Sequence, residues 1–172
     1  DEIREIVKES KRINEEINRK VEEVVRRSEK TNEDIRDTVR RLVRESDETN
    51  RRIEESPQDR EEVKKAIKDD ERRIEEALEE LRKLLKEDND LIEKAARELE
   101  ELIRRNKKRI EDLLKDEDLV RELRKEVKRS EDRIRKIIRD LDELNRRSKE
   151  DIKRKIDELR KRVEETKRRV TK

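Results

Sequence analysis

The sequence predicts an all-α fold, a single-chain antiparallel (up-down-up) three-helix bundle of long straight helices. Three observations lead there. The same face pattern returns every 18 residues, two short breaks divide the chain into three similar segments, and Gly and aromatic residues are absent. Of 172 residues 62% are charged and 27% hydrophobic. Such charge often accompanies disorder, because too little apolar surface is buried to offset chain entropy. Glu, Lys, Arg and Leu are also strong helix formers, so pattern has to decide.

The first segment, near residues 2–55, carries Ile3, Ile6, Val7, Ser10, Ile13, Asn14 and Ile17 on one face. Eighteen residues on stand Val21, Val24, Val25, Ser28, Thr31, Asn32 and Ile35, then Val39, Leu42, Val43, Ser46, Thr49, Asn50 and Ile53. Eighteen residues make five turns at about 3.6 per turn, so the stripe returns to one angle without supercoiling. A heptad repeat would impose a left-handed supercoil instead. Disorder gives no reason to hold such a phase.

The second segment, near 57–115, repeats Val63, Ala66, Ile67, Asp70 and Ile74 as Leu81, Leu84, Leu85, Asp88 and Ile92. A third copy reads Leu99, Leu102, Ile103, Asn106 and Ile110. Ser56-Pro57-Gln58-Asp59 reads as an N-cap serine followed by Pro at the first helical position. The third segment, near 117–171, runs Val120, Leu123, Val127, Ser130 and Ile134, then Ile138, Leu141, Asn145, Ser148 and Ile152. Its last copy is Ile156, Leu159, Val163, Thr166 and Val170. Asp116-Glu117-Asp118 supplies an acidic start, favourable against the helix dipole. Each helix would be roughly 80 Å long. With no linker dividing it, the chain (1–172) is expected to be one domain.

Short connections between long helices imply antiparallel neighbours. Polar stripe residues then pair by constant number sums. Ser10 with Asn106, Ser28 with Asp88, and Ser46 with Asp70 each sum to 116. Asn106 with Ser130, Asp88 with Ser148, and Asp70 with Thr166 each sum to 236. Three inward polar layers are therefore expected: Ser10/Asn106/Ser130, Ser28/Asp88/Ser148 and Ser46/Asp70/Thr166. Asn14, Asn32, Asn50 and Asn145 are further candidates for the same networks. Buried polar groups are costly unless partnered, and partnered layers penalise axial slippage between similar apolar layers.

The repeated stripe, the inward polar layers and the Glu/Lys/Arg surface together resemble parametrically designed helical bundles with hydrogen-bond networks. The resemblance covers the whole chain. It implies a very stable scaffold without a catalytic role. Spectrin-like repeats are also antiparallel three-helix units, but their helices are shorter and they normally keep buried aromatics.

Composition excludes several chemistries. Without Cys there is no disulfide framework or thiolate nucleophile, and without His the commonest general base and transition-metal ligand are missing. Asp70 or Asp88 beside a hydroxyl could suggest a base and nucleophile, yet no oxyanion donor or substrate group accompanies them. Each layer offers at most one carboxylate, too few for a hard cation. No catalytic residue, metal or cofactor is expected.

The formal net charge is +2, and acids interleave with the basic residues of the third segment, as in Lys149-Glu150-Asp151. That pattern argues for a solvated, ion-paired face rather than a nucleic-acid stripe. No apolar run is long enough to span a bilayer. Leu91, Leu119 and Ile137 are apolar where repeat mates are charged, but they are scattered. The expectation is a monomer without partners. The alternative is a component of a designed oligomer or partner-binding assembly, or a domain-swapped form.

Overall fold

The computed structural model describes residues 2–112 and 117–170. They form three α-helices: α1 (Glu2–Glu55), α2 (Arg60–Glu111) and α3 (Glu117–Val170). Helix-forming residues without an interrupting Gly or Pro account for their length. Among the described residues none has a positive φ, so α1 ends without a left-handed cap.

The connection between α1 and α2 differs from the expectation in one respect. Ser56 N–H donates to the Arg52 carbonyl at 3.3 Å, finishing α1, and Asp59 N–H donates to the Ser56 carbonyl at 3.3 Å. Ser56 to Asp59 is thus a β-turn with Pro57 at its second position, where the fixed proline φ fits as well as at a helix start. The cap of α2 is Asp59, not Ser56. Its Oδ1 accepts the Glu62 N–H at 3.2 Å, and its carbonyl accepts the Val63 N–H at 3.0 Å. At the other end of α2, Asp112 N–H donates to the Arg109 carbonyl at 3.2 Å. The expected end at Lys115, the Asp116 start and Thr171 lie outside the described residues.

Contacts divide the chain into two units, Asp1–Glu29 with Asp88–Leu144 and Lys30–Glu87 with Asn145–Lys172. In the first, Glu9 pairs with Arg109, Asn14 with Asn106 and Lys20 with Glu98. Numbers rise along α1 as they fall along α2, so these helices are antiparallel. Asn14–Ser130 and Asn18–Arg133 rise together, so α1 and α3 are parallel. The second unit repeats this order through Arg41–Glu80 and Arg52–Glu62, and through Asn32–Ser148 and Asp47–Arg162. The topology is up-down-up.

The first unit's core includes Ile17, Val21, Leu99, Ile110, Leu123 and Val127, with Val24, Ile92 and Leu141 nearby in sequence forming a further cluster. The second is built on Ile35, Leu42, Ile74, Leu81, Ile152 and Leu159. All are aliphatic stripe positions, each contributing about 1.5–3 kcal/mol when fully buried. Inter-helix ion pairs such as Arg41–Glu80 are half exposed and screened, so burial dominates stability. Among the described residues no helix is long and apolar enough to cross a membrane.

Candidate functional site

The polar residues of the stripes are the candidate site, because burying them requires a compensating arrangement. In the first unit Ser10, Ser28, Asp88 and Asn106 are fully closed to solvent. Ser28 Oγ donates to Asp88 Oδ1 at 2.6 Å. Asn106 Nδ2 donates to Asn14 Oδ1 at 3.1 Å, and Ser130 Oγ donates to the same oxygen at 3.5 Å. Hydrogen bonds here gather on Asn14 rather than on Ser10. Ser10 Oγ and Asn106 Oδ1 are buried without a hydrogen-bond partner among the described residues.

In the second unit Ser148 Oγ donates to Asn32 Oδ1 at 2.7 Å. Asn145 Nδ2 donates to the Leu85 carbonyl at 3.3 Å. Ser46 Oγ donates to Asp70 Oδ2 at 3.1 Å and accepts from Arg162 Nη2 at 2.6 Å. Arg162 Nη1 meets Asp47 Oδ1 at 2.7 Å, so its guanidinium bridges a buried hydroxyl and a surface carboxylate. Arg73 Nη1 donates to Thr49 Oγ1 at 2.6 Å. Asn50 Nδ2 turns back to the Ser46 carbonyl at 3.1 Å. Thr166 Oγ1 likewise bonds its own helix, at the Arg162 carbonyl, rather than Ser46 or Asp70.

The partners of α1 differ by direction. Ser28 donates to α2 and Asn32 accepts from α3, whereas Asn14 accepts from both neighbours and Ser46 donates to α2 while accepting from α3. Four residues advance a helix by about 400°, so each Asn lies roughly 40° around the axis from the Ser one turn earlier. At Ser28 and Asn32 that rotation goes with bonds to different neighbours. Residues bonded between α1 and α3 are separated by 116 in sequence at Asn14–Ser130, Asn32–Ser148 and Ser46–Arg162. The expected layers would have required 120, one turn more.

Burial pushes the Asp70 carboxyl above its ordinary 3.8, while the Ser46 hydrogen bond and the Arg73 and Arg162 charges oppose the rise. Asp70 Oδ1 is buried without a hydrogen-bond partner among the described residues. Burial also raises Asp142, helped by the charges of Glu93 and Asp88. Ser28 and Ser46 are fully enclosed, so their hydroxyls do not face a substrate. Among the described residues no group of three or more acids, His or Cys could hold a metal ion.

Arg162, Arg73 and Asp47 were not among the residues expected at the site. Each reads as a surface charge by type. A signal does exist for Arg162: its counterparts eighteen and thirty-six residues earlier are Leu144 and Glu126, so the repeat changes character there.

Among solved structures the chain is similar to one described as a computationally designed three helix bundle. The likeness has a TM-score of 0.55 at 17% identity and covers 97% of this chain and 78% of that one. The fold is a three-helix bundle. No family model matches the chain, and no curated protein matches its sequence.

Proposed function

We propose that this three-helix bundle is a designed, monomeric scaffold of one cooperative domain, without a catalytic role, whose buried polar side chains fix the register of near-identical repeats. The observation carrying this reading is the recurrence of one bond. Ser130 donates to Asn14, and eighteen residues on in both helices Ser148 donates to Asn32. An apolar stripe of this period tolerates small slides, since one aliphatic layer packs much like the next. Sliding α3 by one turn would separate both serines from their asparagines and leave polar groups desolvated, at about 1–3 kcal/mol each. A whole-block slide is opposed differently, by the loss of apolar burial.

Design is supported by the recurring 18-residue pattern, the absence of Gly and aromatics, and the likeness in fold to a designed bundle. A monomer is supported by the exposed surface. Ile3 and Leu144 are the exposed large hydrophobics among the described residues, and they form no patch. Sedimentation over a wide concentration range should return the mass of one chain; a heavier species at micromolar protein would favour the assembly reading. Calorimetry should show one unfolding transition, and two resolved transitions would contradict a single domain.

Register is tested by replacing Asn14, Asn32, Ser130 and Ser148 together with Leu or Val. The variant should stay helical but show more than one set of amide resonances. A single set matching the parent would remove the register role.

A further inference from the structure

The repeat loses bulk at Ala96, and a groove opens there. Ala96 stands eighteen residues after Leu78 and eighteen before Leu114. Leu78 packs against the core of its own unit. Ala96 instead lines a cleft of about 690 Å³ between α2 and α3 of the first unit, floored by Ile103, Ile134 and Ile138. A small side chain where a packed face has room for a large one leaves a void if the backbones do not collapse onto it. The volume falls within the roughly 300–1,000 Å³ of small-molecule pockets.

The rim is charged and asymmetric. Four Lys or Arg side chains line it against two Glu. Glu131 is already shared by Lys107 at 3.0 Å and Arg135 at 2.8 Å. Arg139 has a 3.4 Å bond from Nε to the Arg135 carbonyl, and no ion pair with a carboxylate among the described residues. In the antiparallel pairing of α2 and α3, Arg139 stands at the Ala96 end and Ile134 at the Ile103 end. An apolar trough thus begins beside a cation without a carboxylate.

We propose that this groove binds monomeric anionic amphiphiles, with a single alkyl chain along the Ala96–Ile103 floor and a carboxylate head at Arg139. The seven residue steps from Ala96 to Ile103 rise roughly 10 Å, the reach of an extended chain of about eight to ten carbons. Ala96 is what admits the chain, and Arg139 selects the sign of the head group. The second unit carries the same floor as Leu85, Ile152 and Ile156, but Leu78 occupies Ala96's place and Asp157 occupies Arg139's. Both differences disfavour the ligand there.

The test is calorimetric titration of the intact chain with decanoate below its micelle concentration, against decyltrimethylammonium. Decanoate should bind at one site with at least tenfold preference over the cation. Ala96→Leu should weaken decanoate at least tenfold with helicity unchanged, and Arg139→Glu, an exposed substitution, should erase the preference for the anion. Leu78→Ala with Asp157→Arg should create a second site and double the stoichiometry. Equal binding of both amphiphiles, undiminished binding to Ala96→Leu, or no saturation up to millimolar decanoate would each overturn the proposal. Should Ala96→Leu misfold, the cation comparison and Arg139→Glu still decide it.

Discussion

Ser28 and Asp88 join α1 to α2 through a 2.6 Å hydroxyl-to-carboxylate hydrogen bond with both side chains closed to solvent. That length belongs to charge-assisted bonds, which are roughly twice as strong as neutral ones. Ser10 occupies the same repeat position as Ser28, equally buried, yet its hydroxyl has no partner among the described residues. The pair is therefore a matched experiment on what a buried hydroxyl is worth. Ser28→Val should cost about 1–3 kcal/mol, because it removes a donor from a desolvated carboxylate. Ser10→Ala should be neutral or stabilising. Adding Asp88→Leu to Ser28→Val should recover most of the loss, since an apolar pair often matches a buried polar one. Denaturant midpoints check all three, and equal losses for Ser10→Ala and Ser28→Val would contradict the distinction.

The cap of α2 gives a second matched pair. Asp59 Oδ1 accepts the Glu62 N–H, whereas Ser56 takes part in the turn through its backbone. Asp59→Ala should lower stability by about 0.5–2 kcal/mol. Ser56→Ala should stay within about 0.5 kcal/mol of the parent, as exposed substitutions usually do. The reverse ranking of thermal midpoints would restore Ser56 as the cap.

The fold was legible because period and breaks are properties of the chain alone. Five turns per repeat placed Ile17, Leu81 and Ile152 on inward faces, and all three are buried. The turn around Pro57 was legible as a break but not in detail, since Pro fits both a β-turn and a first helical turn. The polar site was less legible for a geometric reason. Number sums fix height along a helix to about one turn, whereas a hydrogen bond also requires direction around it. Ser28 and Asn32 differ by one turn and roughly 40°, and with that rotation Ser28 reaches Asp88 on α2 while Asn32 receives Ser148 of α3. Arg162 escaped because a long side chain can reach inward from the edge of a stripe while its position reads as surface.

Asp70 makes stability depend on pH. Burial raises its folded-state carboxyl above 3.8, so between 3.8 and the raised value the folded chain binds more protons at this group than the unfolded chain. Stability contributed by this group therefore falls as pH rises through that window, and is favoured below it. Asp70→Asn removes the titration. Its stability relative to the parent should grow as pH increases from below 3.8 through the window, then level off. Denaturation midpoints of both proteins across acidic pH check this, and a difference that shrinks with rising pH would reverse the assignment.

Arg162 should control that same titration. Its guanidinium donates to Ser46, which donates to Asp70, and its positive charge is one of the two that hold the Asp70 carboxyl down against burial. Arg73 supplies the other charge, and Asp47 pushes the opposite way. Arg162→Met keeps a long apolar stem while removing charge and donors. It should raise the Asp70 carboxyl further and move the pH-dependent loss of stability to higher pH. Arg162→Lys keeps the charge but not the planar fork that meets Ser46 and Asp47 together, so it should restore only part of the Asp70 position. Carboxyl carbon shifts of Asp70, followed by NMR through acidic pH, read this directly. An unchanged midpoint in Arg162→Met would mean that the guanidinium serves only the exposed pair with Asp47. A lowered midpoint would mean that losing Arg162 admits water to Asp70, and that its main effect was exclusion rather than charge.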